Sequence, residues 1–406
     1  MPLTDSDLLG SPRALGQAPA NVAAAAATTR GHVIAALEAP DAKIGKSTLR
    51  LTEARADRSF PTPRVLTGAL SPPPATATGY LGDVALARVA GSSQPRGTRA
   101  GAMSIALDVQ RHFASAPVQR GRYAIGADPL SALGVTLDYR TDALLTWVQS
   151  GRVRARFVSA SGPARPIQTL GSSVASTPPA ALLSDDGRAI VAWVDQKAGT
   201  SGSRPETYVF LSISGPGARF GAPRLVERFS APSPTTAPGS VDLVRLSNES
   251  VTMAWTGLDA AGHYVVRSAP VGLSGMGHST TLSDPGASAL LGTLVSGPHG
   301  DALAVWSSPN LTSGQASLDG RLFIPSFRHD RLGPPVHLAG PGPTQMRRPP
   351  STPPATGPWW PGAPPTRPAA PAMRDWLPWS RRTREDKDPE PAGSSPHHRA
   401  QRWAEP

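Results

Sequence analysis

One short pattern recurs along this chain, and it limits what the chain can fold into. Gly187-Arg-Ala-Ile-Val-Ala-Trp193 and Gly300-Asp-Ala-Leu-Ala-Val-Trp306 share a turn glycine, a polar residue, and small and aliphatic residues ending in Trp. Ala143-Leu-Leu-Thr-Trp147 and Val251-Thr-Met-Ala-Trp255 continue the series. Two degenerate copies, Gly31-His-Val-Ile-Ala-Ala-Leu37 and Gly82-Asp-Val-Ala-Leu-Ala-Arg88, put Leu and Arg in the Trp place. The six slots stand 46 to 62 residues apart. Such a period marks a repeat architecture, in which no unit buries its hydrophobic face alone.

Each unit reads as four short strands. The clearest predicts strands at Ala180–Leu183, Ala189–Val194, Tyr208–Ile213 and Arg224–Glu227. Asp185-Asp186-Gly187 is a hairpin turn signal between the first two. A second element follows each slot: Phe60-Pro-Thr-Pro-Arg-Val-Leu66 matches Phe220-Gly-Ala-Pro-Arg-Leu-Val226, with weaker copies at Phe113 and Arg331. Pro and Gly, at 46 and 40 residues, interrupt every unit. No helical-period face runs for 11 residues, so helix-pair repeats are excluded.

The second strand is apolar on both faces: Ala189, Val191 and Trp193 point one way, Ile190, Ala192 and Val194 the other. A solvated sheet would alternate polar and apolar residues. A meander covered on both sides is what radial stacking of like units supplies, so the expected fold is all-β, a β-propeller of about six four-stranded blades. The Trp slot then predicts a core wedge between blades.

Three segments are expected: a disordered N-terminus at 1–19, the repeat domain at 20–341, and a Pro/Trp/Arg-rich disordered tail at 342–406. Pro349-Pro350, Pro353-Pro354 and Pro364-Pro365 deny both helix and ladder hydrogen bonds. Yet the tail carries Trp359, Trp360, Trp376, Trp379 and Trp403, five of the nine Trp. It reads either as short docking motifs or as out-of-frame translation of GC-rich DNA. In the second case a seventh blade has been lost.

The formal charge is +11. A basic balance is the first mark of a nucleic-acid binder. Here only Lys43, Lys46, Lys197 and Lys387 are Lys, the Arg residues are scattered, and no specific nucleic-acid motif is present. Coding bias explains the charge better. With no Cys, disulfides, Cys-bound zinc and thiol catalysis are excluded. No stretch of about 18 apolar residues is available for a spanning helix. Residues 1–20 lack a basic segment followed by an apolar core, the mark of an export signal. Localisation stays open between the cytoplasm and a start placed too far downstream.

The unit of Gly-x-Ala-aliphatic-Val-Ala-Trp, an extended strand, and Phe-x-x-Pro-aliphatic resembles the repeats of sialidase-like β-propeller proteins of the actinobacterial type. The resemblance covers about 320 residues and implies the fold, and an exported or cell-envelope location. It departs from the family pattern in two ways. The Asp-box is absent, Ser184-Asp185-Asp186-Gly187 being only a turn. No sialidase-type site of three Arg, a Tyr nucleophile backed by Glu, and an Asp acid can be placed. The candidate tyrosines are Tyr80, Tyr123, Tyr139, Tyr208 and Tyr264, and packing is the expected role of Tyr208 and Tyr264.

No other catalytic constellation emerges. Asp185 and Asp186 are adjacent in a turn and do not flank one glycosidic bond. The His residues are isolated apart from His397-His398, so no metal site is expected. Gly45-Lys46-Ser47 lacks the first glycine of a phosphate loop, and Gly272-Leu273-Ser274 lacks the last glycine of a nucleophile elbow. No cofactor is expected.

The strand 2–3 loops, at about 38–46, 89–102, 149–152, 195–206, 256–263 and 307–320, vary most in length. Variable loops on a rigid scaffold are where binding usually lives. Lys43, Lys46, Arg96, Arg99, Lys197 and Arg204 fall there. They form the expected binding face, for an anionic glycan or polymer, or a protein partner. The leading expectation is a non-enzymatic binding or scaffold propeller. The alternatives are a degenerate sialidase-like glycoside-active propeller and a truncated or frameshifted gene product.

Overall fold

The computed structural model describes residues 21–343 with breaks at 28–31, 42–45, 56–63, 67–71, 80–82, 91–102, 112–117, 174–176, 198–203, 231–239, 247–248, 274, 297–300, 311–314 and 326–330. The chain divides into units Met1–Met346 and Arg347–Pro406. The second unit, with the expected tail and its five Trp, lies outside the described residues, as does the expected N-terminal segment 1–19.

All regular structure in the described residues is β, in six antiparallel meanders whose strands pair in chain order. They span residues 21–66, 75–126, 130–172, 180–230, 241–281 and 290–343, here blades 1 to 6. Among the described residues the fold is a β-propeller with six blades. Blade 5 departs from four plain strands: its outer edge is two short pieces, Gly275–Met276 and Thr280–Thr281, both paired with Tyr264–Gly272.

Radial order shows in the first strands. Asn21–Ala27, Ala75–Thr78, Leu130–Leu137, Ala180–Leu183, Val241–Arg245 and Leu290–Ser296 lie beside one another in that sequence. The hydrophobic cores sit between blades. Leu145 and Trp147 of blade 3 pack with Ile105 and Leu107 of blade 2. Leu144 and Val153, on the opposite face of blade 3, pack with Val191 and Trp193 of blade 4. Like clusters join blades 4 and 5, and blades 5 and 6. The two-sided apolar strand therefore has the cover its sequence demands: all seven residues of Ala143–Gln149 are buried.

Phe220 of the Phe-x-x-Pro element is equally structural. Its ring stacks on Phe157 of blade 3 at 5.7 Å. Gln168 of blade 3 clasps its backbone, donating from Nε2 to the Phe220 carbonyl at 2.8 Å and accepting the Phe220 N–H at 2.9 Å. One residue thus ties two blades by ring and by main chain.

Strands 2 and 3 run further than their apolar cores suggest. In blade 4 they extend to Ala189–Lys197 and Glu206–Ser214, with Lys197 directly opposite Glu206. In blade 6 they extend to Asn310 and from Gln315. The antiparallel ladder keeps pairing polar residues beyond the buried run, so the 2–3 connections are shorter than expected.

Candidate functional site

The six cations expected on the 2–3 loops divide by position. Lys43, Arg96 and Arg99 lie outside the described residues. Lys46 is not on a loop but opens the third strand of blade 1, Lys46–Arg55, opposite Asp41. Lys197 is likewise the last residue of a strand. Arg204 stands in the connection as expected, and it is exposed.

Around Lys197 the strand register builds a cation–aromatic shelf. Trp193, Asp195 and Lys197 face Phe210, Tyr208 and Glu206 across the ladder. A pleated pair places such residues on one side. Trp193 and Phe210 stack at 5.6 Å, and Phe210 and Tyr208 at 6.1 Å with planes 6° apart. The Tyr208 ring at the outer end of this stack carries Lys197 Nζ at 4.9 Å and the Arg228 guanidinium at 5.5 Å. Cations at such distances from a ring are attracted by its quadrupole.

Glu206 completes the shelf. It accepts from the Tyr208 hydroxyl and from Arg228 Nη2. These two bonds hold its carboxyl below the usual range. The same bond, with desolvation behind it, raises the Tyr208 phenol above its ordinary value. A tyrosine nucleophile needs the opposite shift, because the phenolate attacks. Tyr208 spends its single hydroxyl hydrogen on Glu206. Asp195 accepts from Ser172 of blade 3 at 2.6 Å, which anchors the shelf to its neighbour. Lys197 and Arg228 thus stand with the carboxylates Asp195 and Glu206 around the Tyr208 ring, and exposed Arg204 precedes Glu206 by two residues in the chain.

The other candidates have structural partners. Asp186 accepts from Ser184 Oγ at 2.5 Å, Arg188 N at 3.0 Å and Arg188 Nη2 at 2.6 Å. These bonds, Ser184 first, bring its pKa down to about 2. Asp185 accepts the Tyr139 N–H of blade 3 at 3.1 Å and pairs with Arg245 of blade 5 at 2.8 Å. Tyr264 is buried and packs edge-on against Phe229. Tyr123 lies under Arg156, and Tyr139 receives Arg140 Nε on its hydroxyl at 2.6 Å. Tyr80 lies outside the described residues. Arg228, Tyr208 and Glu206 escaped the sequence reading as a site. Their only local signal is an alternation of polar and aromatic residues at 206, 208 and 210.

No family model matches the sequence, and no curated protein matches it. Solved structures do resemble it. A Dyadobacter fermentans protein of unknown function is 13% identical with a TM-score of 0.43, over 74% of this chain and 93% of that one. NanB sialidase of Streptococcus pneumoniae (K499G mutant) is 8% identical with a TM-score of 0.46, over 74% and 68%. The β-propeller domain of the Trilobed protease from Pyrococcus furiosus is 8% identical with a TM-score of 0.45, over 82% and 100%.

Proposed function

We propose that this propeller is a non-enzymatic binding protein whose 2–3 face takes an anionic glycan or polymer. The observation that carries this reading is the shelf of Lys197, Tyr208 and Arg228, with exposed Arg204 beside it in sequence. Its cations supply charge for carboxylates or sulfates, and the Tyr208 ring supplies an aromatic surface beside them. Such complementarity sets specificity and on-rate before it sets affinity.

A glycan and polyanion array tests it, run at two salt concentrations with the wild type and the Lys197→Glu/Arg204→Glu variant. Binding to anionic members should weaken in the variant and at the higher salt, since exposed charges are screened over about 10 Å at 0.1 M. Thermal stability should stay close to wild type. Binding indifferent to both changes would overturn the reading, and so would binding confined to neutral glycans.

A further inference from the structure

The repeat supplies its own control for the groove beside each Trp. On the neighbouring third strand, Trp147 faces Arg154, Trp193 faces Phe210, Trp255 faces Arg267, and Trp306 faces Asp319. Three blades place a large side chain there, two of them cationic. Blade 6 places a short carboxylate.

In blade 5 the guanidinium has a defined seat. Arg267 Nη1 lies 3.3 Å from Glu227 Oε1, on the outer strand of blade 4, and Nη2 donates to the Leu258 carbonyl at 2.8 Å. Glu227 also accepts the Trp255 indole N–H at 2.5 Å. A planar cation is thus held in an inter-blade groove by one carboxylate and one carbonyl, beside a Trp.

The same groove between blades 5 and 6 is open. A cavity of about 320 Å³ is lined by Trp306, Ser308, Asp319 and His337 of blade 6, and by Asp284 and Ala287 of the preceding connection. Trp306 is its floor, being 2% exposed. Pro335 and Val336 add an apolar wall. Asp319 accepts from Ser317 Oγ at 2.8 Å and sits 2.8 Å from His337 Nδ1. Burial pushes its pKa up, but the bonds from Ser308, His337 and Ser317 prevail and hold it below the ordinary value. Asp284 is engaged by Arg321 at 2.9 Å, whereas Asp319 has the His337 ring, not an Arg or Lys, beside it.

We propose that the groove between blades 5 and 6 binds a guanidinium group presented from outside the chain, with Asp319 as its counter-ion and Trp306 as its floor. The incoming group takes the role that Arg267 plays one blade earlier. A guanidinium suits the slot better than an ammonium. It is planar, carries several donors in one plane, and gives up its hydration more readily. Its source is either a small molecule or an arginine side chain of a peptide.

Calorimetric titration of the full chain with methylguanidinium tests this, with methylurea as the neutral isostere and methylammonium as the compact cation. Methylguanidinium should bind at one site, methylammonium more weakly, and methylurea not measurably. Asp319→Asn should weaken methylguanidinium binding by about 10-fold or more, as expected for loss of a charged hydrogen-bond partner. Ala287→Phe, at an exposed rim position, should close the cavity and abolish binding while leaving Asp319 in place. It carries the test if Asp319→Asn fails to fold. Agmatine and a blocked Ala-Arg-Ala peptide separate the sources, the correct one binding more tightly than methylguanidinium. Equal binding of methylurea, undiminished binding in both variants, or no binding to the wild type overturns the proposal. The polyanion array reads different residues on blade 4, so the two readings fail separately.

Discussion

At the scale of single residues, the four Trp of the repeat share a place but not a partner. Trp147, Trp193, Trp255 and Trp306 are 0%, 2%, 2% and 2% exposed, each against the preceding blade. Trp147 Nε1 donates to Gln149 at 3.2 Å, Trp193 to the Ser172 carbonyl at 3.0 Å, and Trp255 to Glu227. Burial is common to all, while the hydrogen bond is improvised blade by blade. Close approach sets the fit: a Cβ on Gly171 would stand 2.7 Å from the Trp193 ring. Trp255→Ala should therefore cost about 3–5 kcal/mol through the cavity it leaves. Trp255→Phe should cost less, because Glu227 keeps Arg267 when the indole N–H is lost. Urea denaturation of both variants checks this. An alanine variant within 1 kcal/mol of wild type would show that the slot is not a wedge.

At the scale of the element, the turn after the first strand of blade 4 shows what the sequence made legible. Asp185-Asp186-Gly187 reads as a hairpin turn, and it is one: Gly187 adopts φ +79°, and its N–H donates to the Ser184 carbonyl at 2.9 Å. Asp186 fixes the loop through bonds that depend on its charge. Its pKa falls from 3.8 to about 2 on folding, so its contribution is present above pH 4 and fades as pH drops toward 2. Asp186→Asn should be less stable than wild type at pH 6, and the gap should close by about pH 2. Melting curves across that range check it, and a constant gap would deny the charge its role. The turn, the Trp slots and the two-sided strand were legible because each depends on neighbours within a few residues. Three things were not. Asp185 reaches Tyr139 and Arg245 in two other blades, which only the folded stack brings near. Lys197 reads as a loop residue because the polar end of a ladder looks like a loop until Glu206 is seen opposite it. The cavity over Trp306 depends on the register that sets Asp319 across from it, and no local pattern announces that.

At the scale of the whole repeat unit, stability comes from each blade covering the one before it. Val153, Val209 and Val266 occupy the same ladder place, one step from the residue opposite Trp, on the face turned toward the next blade. All three are 0% exposed. Leu318 holds that place in blade 6 and is 40% exposed, with Val295 at 49% and Ile324 at 44% on the same sheet. The face that is fully buried in blades 3 to 5 is thus part-exposed in blade 6. A charge should therefore be punished in one place and tolerated in the other. Val266→Asp would bury a carboxylate between two packed sheets, at a cost of about 3–5 kcal/mol. Leu318→Asp should fall within about 0.5 kcal/mol of wild type, the usual range for a surface change. Denaturant midpoints of the two variants decide it. If Leu318→Asp were as damaging as Val266→Asp, this face of blade 6 would be covered in solution.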